Sequence, residues 1–145
     1  MSTINPESAA VQSYLVILQG VISRMATNSS ACKTWCITLV SAILVIVADK
    51  AKPEYALLAL MPAVLFLLLD SYYLGLERGF RDLYNQFIKK LHSNTATLED
   101  TFVVNPGGGT GHILLLSLKA LFSVSVWPFY GLLSAMILVA KYYVL

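Results

Sequence analysis

Charge is what this chain has least of. Lys and Arg number 10, Asp and Glu 8, and together they make up 12% of 145 residues. A soluble domain usually carries about 25%. Apolar residues account for 57%, and they gather in blocks of about 18–20, the length a bilayer requires. Little polar chain is left for a separate soluble domain. The net charge of +2 defines no partner by itself, so where the charges fall matters more than their sum. Cysteine is scarce too. Cys32 and Cys36 lie four apart on a predicted helix, a poor geometry for a disulfide and at most half of a metal site. No basic segment precedes the first apolar run, where Glu7 stands instead, and no cleavage-type site is evident, so no signal peptide is expected.

Catalytic patterning is also missing. His92 and His112 flank a polar loop, but neither has a Ser, Cys or acidic partner at a recognisable spacing. The run Pro106-Gly107-Gly108-Gly109-Thr110-Gly111-His112 resembles a phosphate loop without its Lys-Ser/Thr ending or a suitable preceding strand. A flexible linker is the plain reading, and a backbone-amide nest for an anion the alternative. No catalytic residue, metal ligand or cofactor is expected, and the chain is not expected to be an enzyme.

What is present is organised around residues 53–92. Tyr55 to Leu74 is apolar enough to cross a bilayer, which takes about 20 residues. The helical pattern then continues. Leu69, Tyr73, Leu76, Phe80, Leu83 and Phe87 recur at alternating spacings of four and three, a heptad-like seam with the charges off it. Read as one helix, residues 53–92 run on the order of 55–60 Å at 1.5 Å per residue. A bilayer core takes about 30 Å of that. The remainder is expected to project into water as a cytosolic stalk.

Upstream, Asn5-Pro6-Glu7 reads as a helix start. An amphipathic helix over residues 1–28 carries Val11, Tyr14, Leu18, Val21 and Met25 on one face, and it lies in the membrane interface or packs on the stalk. Thr27-Asn28-Ser29-Ser30 is expected to break it and cap a first span, Ala31 to Ala48, with Lys33 and Trp35 as interfacial anchors. Residues 29–92 thus hold two spans plus the stalk, the second span kinked or unwound at Pro62. Residues 93–111 form a polar, Gly-rich loop, in which Thr101 to Val104 is a candidate short strand. Residues 112–145 read as one long helix bent near Pro128 and including a third span, Val126 to Leu145; a hairpin with a short fourth span is the alternative. Arg24, Lys33, Arg78, Arg81, Lys89, Lys90 and Lys119 fall on one side, against Lys50, Lys52 and Lys141 on the other. The positive side is cytoplasmic, which puts the N-terminus and stalk inside and the C-terminus outside.

Two sets of residues are candidates for function. On the stalk, Arg78, Arg81, Lys89 and Lys90 with Tyr84 combine phosphate-neutralising charge with a ring on which a base can stack. The competing reading is a solvated helix face, with Glu77–Arg81 and Arg78–Asp82 as i,i+4 pairs. In the membrane, Asp70 near the inner end of the second span either lines a pore mouth or caps the boundary. Thr38 and Ser41 offer either close helix packing or a narrow wet path, and Pro62 offers a hinge.

The stretch from Ser23 to Asn85, and DSYYLGLERGFRDLYN (Asp70 to Asn85) in particular, is similar in layout to the two-transmembrane effectors that accompany nucleotide-signalling antiphage systems. With a third span and a basic stalk, the chain most resembles the Hailong-type membrane effector. The resemblance implies a channel gated by a nucleotide or oligodeoxyadenylate from a partner nucleotidyltransferase, causing depolarisation and abortive infection. The expectation is therefore an all-α, multi-pass protein of the bacterial inner membrane. Three spans cannot enclose a path alone, so it assembles from about four copies. A non-conducting assembly subunit and a constitutive holin-like pore are the alternatives.

Overall fold

One helix, α1 (Ala9–Asp49), runs unbroken for 41 residues, about 60 Å at 1.5 Å per residue. It passes straight through Thr27 to Ser30, where a break was expected. Hydroxyl residues disrupt a helix when their side chains compete for its backbone. Here the Ser29 hydroxyl is drawn off to Asp70. Thr34 and Thr38 instead donate back to the carbonyls of Ser30 and Thr34, at 3.5 and 2.9 Å. The helix starts later than Asn5. The Asn5 side chain accepts from the Glu7 N–H at 2.9 Å and closes a turn, and Ser8, in an extended conformation, caps the helix by accepting from Val11 N–H.

The computed structural model describes residues 4–50, 52–107 and 109–144. After α1 a 3-10 turn (Pro53–Ala59) leads into α2 (Leu60–His92). Pro62 therefore sits in the first turn of α2. The 3-10 stretch lies directly before it, so the change of helix type falls within one turn of the proline. Contacts between α1 and α2 run in opposite order along the two helices: Tyr14 with Phe87, Gln19 with Tyr84, Ser29 and Lys33 with Asp70. The two helices form an antiparallel hairpin over nearly their whole length. Two helices, residues Ala9–Asp49 and Pro53–His92, are long and apolar enough to cross a membrane.

The hairpin has two apolar cores. One is aromatic, with Tyr14 edge-on to Phe87 at 4.8 Å and Leu18, Val21 and Phe80 around them. The other is aliphatic, built from Cys36, Val40, Ala63 and, from the last helix, Tyr130 and Ile137. The heptad seam is followed only in the aromatic half, where Phe80 and Phe87 are buried; Leu69 faces outward and Ala63 and Asp70 take the inner positions. Just past the end of α2, Asn94 has a left-handed φ of 55° that lets Thr95 N–H return to the Lys90 carbonyl at 3.0 Å.

No strand occurs among the described residues. Thr101 and Phe102 form a turn, with Phe102 at φ 62°, and the following residues are irregular. This corrects the candidate strand. The last segment is not one bent helix either. It forms α3 (Gly109–Leu121), a non-helical turn, and α4 (Trp127–Val139), which passes into a π-turn, Ala140–Val144. Pro128 again sits in the first turn of its helix and starts α4 rather than bending a longer one. α3 meets α2 backbone to backbone. A Cβ on Gly75 would stand 2.8 Å from the Ser117 nitrogen, so only glycine permits this approach. α4 covers 13 residues, about 20 Å, and the π-turn that follows carries Lys141, Tyr142 and Tyr143.

Candidate functional site

The polar junction between the two cores is built from α1 and α2. Asp70 is fully buried. Ser29 Oγ donates to its Oδ1, and Lys33 Nζ lies 2.5 Å from its Oδ2. The Tyr130 hydroxyl donates to the Phe66 carbonyl at 3.1 Å, one helical turn before Asp70, and stands beside the carboxylate. No buried side-chain nitrogen or oxygen among the described residues lacks a partner. A carboxylate withdrawn from water is tolerated only when paired and hydrogen-bonded, and this junction meets both conditions.

The four expected pore or gate residues are not brought together. Asp70 is sealed inside the hairpin instead of lining an opening, because both its oxygens are taken. Thr38 and Ser41 lie on the exposed side of α1, and Pro62 is a helix-start residue. Lys33 and Ser29, read from the sequence as an anchor and a cap, prove to be the partners of Asp70. The antiparallel register was the signal that could have found them: once Tyr14 faces Phe87, residues near 30 must face residues near 70.

On the C-terminal half of α2 the expected residues separate. Arg78, Arg81 and Lys89 share one helical face with Asn85, at spacings of three, four and four. Arg81, Asn85 and Lys89 are exposed on it, and Arg78 is half-buried. Arg81 donates to Glu77 at 2.7 Å, and Arg78 donates to Ser123 of the α3–α4 turn at 2.8 Å. Lys89 is exposed. Tyr84 stands at the edge, accepting from Gln19 Nε2 at 3.2 Å, and with Gln19, Ile22, Arg81 and Asn85 it lines a groove of about 300 Å³. Pockets for small ligands begin at about this size.

Lys90 points elsewhere and is bound to Asp100 at 2.6 Å. The Lys90 side chain, and after it the Thr97 N–H, hold the Asp100 carboxyl below the usual carboxylate range. Nearby, burial pushes the Tyr14 hydroxyl above the ordinary tyrosine value, with Asp100 adding to the effect, and that hydroxyl donates to the Val103 carbonyl at 2.7 Å. His92 and His112 are exposed. No three His, Cys, Asp or Glu residues come together as a metal site among the described residues.

Compared with protein-family models, curated proteins and solved structures, the chain gives no significant match. What the fold defines is a class: an all-helical protein with two helices that could span a membrane.

Proposed function

We propose that the chain is a homo-oligomeric, ligand-gated channel of a bacterial inner membrane. An anionic nucleotide or oligodeoxyadenylate, made by a partner nucleotidyltransferase, opens it and depolarises the cell in antiphage defence. The observation that carries this reading is the outer face of α1. Thr27, Ser30, Thr34, Thr38 and Ser41 recur every three or four residues, and all are exposed. Thr34 and Thr38 return their hydroxyls to the helix backbone, and a continuous face of small hydroxyl side chains along a candidate span favours a neighbouring helix or a water-filled path over lipid tails. With several copies placed around an axis, this face is the one that would line it. Arg78, Arg81 and Lys89 on one stalk face are suited to phosphates, and the Tyr84 groove beside them to a base.

Planar-bilayer conductance of the purified protein tests the reading, with and without short oligodeoxyadenylate and cyclic nucleotides. Current only with ligand supports it, and current without any ligand favours a constitutive pore. Silence from folded, oligomeric protein favours the second reading, a non-conducting assembly subunit. One observation favours that alternative. Leu98, Phe102, Val103 and Val104 are exposed together in the loop beside the stalk, a surface suited to a protein partner.

A further inference from the structure

Helix α3 has one face taken and one face open. Leu116 and Ser117 lie against Gly75, and Ala120 is fully buried. The opposite face presents Leu114, Leu115 and Leu118, with Phe122 one turn on; Phe122 is 82% exposed, and Val124 in the following turn 86%. These spacings confine four large apolar side chains to an arc of about 100°. Lys119 and His112, both exposed, lie on the flank of that arc. From Thr101 to Leu145 the sequence contains no Asp or Glu. The open face is thus apolar with a cationic margin and nothing to repel an anionic surface.

Its level in the molecule is fixed by the Gly75 contact. There α2 passes from exposed Leu65, Leu68 and Tyr72 to Glu77, Arg78 and Arg81, the change expected where a helix leaves a bilayer. Trp127, 57% exposed, opens α4 just after the turn, and tryptophan favours the headgroup level. At 13 residues, about 20 Å, α3 is too short to span.

We propose that α3 and the turn at residues 122–126 lie in the membrane interface, at the headgroup level. The face from Leu114 to Phe122 enters the acyl chains, and Lys119 meets the lipid phosphates. The occupant of this face is lipid, not a second copy or a soluble partner. This rests on the membrane reading above, and it assigns residues 112–124 neither to a cytosolic helix nor to half of a hairpin.

Bromolipid quenching of the full-length protein tests it, in vesicles of phosphatidylcholine and phosphatidylglycerol. Single tryptophans are placed by Phe122→Trp and, as a reference in α4, Leu132→Trp, each with Trp35→Phe and Trp127→Phe. Phe122→Trp is expected to lose more fluorescence to bromine near the headgroup end of the chain than to bromine near its terminus. Leu132→Trp is expected to show the reverse order. Quenching of Leu132→Trp without quenching of Phe122→Trp overturns the inference and leaves the membrane reading intact, and quenching of Phe122→Trp mainly by terminal bromine overturns it in favour of a hairpin. If neither tryptophan is quenched, the membrane reading falls and the inference with it. Should the single-tryptophan variants not assemble, a nitroxide on Leu118→Cys, with Cys32→Ala and Cys36→Ala, gives the same decision: oxygen must relax it more than a water-soluble paramagnet does, and the ratio of the two must place it near the headgroups. A ratio typical of water or of the bilayer centre overturns the inference.

Discussion

Lys33 Nζ lies 2.5 Å from Asp70 Oδ2 and joins α1 to α2 where the aromatic core gives way to the aliphatic one. The Asp70 side chain is fully enclosed, while Lys33 keeps about a fifth of its side-chain surface, 22%. Removing one partner of such a pair strands the other charge. Asp70→Ala is expected to cost on the order of 3 kcal/mol, the low end of the range for broken buried pairs, because the Lys33 stem can reach toward a polar boundary. Lys33→Met with Asp70→Leu is expected to recover much of that loss. Thermal unfolding in detergent of Asp70→Leu, Lys33→Met and the double variant measures the coupling, and losses that simply add would show that the two residues do not act as a pair.

Gly75 and Gly20 occupy helices alike but stand in opposite surroundings. A Cβ at Gly75 meets the Ser117 and Leu116 backbone at 2.8 and 3.0 Å, whereas one at Gly20 meets nothing within 4 Å. Backbone cannot give way as a side-chain tip can, so Gly75→Ala is expected to push α3 off α2 at a cost of about 1–3 kcal/mol. Gly20→Ala is expected to stabilise by about 0.5–1 kcal/mol, the helix propensity difference. Melting temperatures of the two variants should move in opposite directions.

Asp100 gives the loop after α2 a dependence on pH. Its carboxyl titrates below the usual range because of Lys90 first and the Thr97 N–H second, while in the unfolded chain it titrates near about 3.9. The unfolded chain therefore takes up its proton first. The stabilisation is whole above about pH 4 and is lost as pH falls through the folded value. An exposed pair of this kind contributes no more than about 1 kcal/mol. Amide exchange around Thr97–Asp100, corrected for intrinsic rates, is expected to quicken well below about pH 4. Asp100→Asn should show the faster exchange at neutral pH already.

The helices themselves were legible in the sequence, since the apolar blocks and the Phe80–Leu83–Phe87 spacing are local signals. The stops were less so. Ser29 looks like a cap in its own neighbourhood, and only the carboxylate of Asp70, 41 residues away, turns it into a mid-helix residue. Pro62 and Pro128 looked like interior kinks because helix starts cannot be told from helix interiors when apolar residues flank both sides. The Arg78–Arg81–Lys89 face was visible as a spacing, but Lys90 was grouped with it by sequence adjacency, whereas one residue on a helix is a rotation of about 100°. The capping box of Thr97 and Asp100, which captures Lys90, lies across the α2 end and carries no periodic signal.

That rotation separates the two lysines in a ligand assay. If short oligodeoxyadenylate binds the Arg78–Arg81–Lys89 face, Lys89→Ala and Arg81→Ala each remove about one phosphate contact. Each is expected to weaken binding and to lower the slope of log affinity against log salt by about one. Lys90→Ala, on the far side and neutralised by Asp100, should leave both affinity and slope unchanged. Arg78 differs again: its guanidinium is held by Ser123 at 2.8 Å, and a neutral hydroxyl is a weaker partner than a phosphate. Ser123→Ala is therefore expected to tighten ligand binding by freeing Arg78. Equal losses from Lys89→Ala and Lys90→Ala in fluorescence-anisotropy titrations would place the ligand elsewhere on the stalk. A wild-type affinity that ignores salt would remove phosphate recognition from the account altogether, because neutralised phosphates must release counterions.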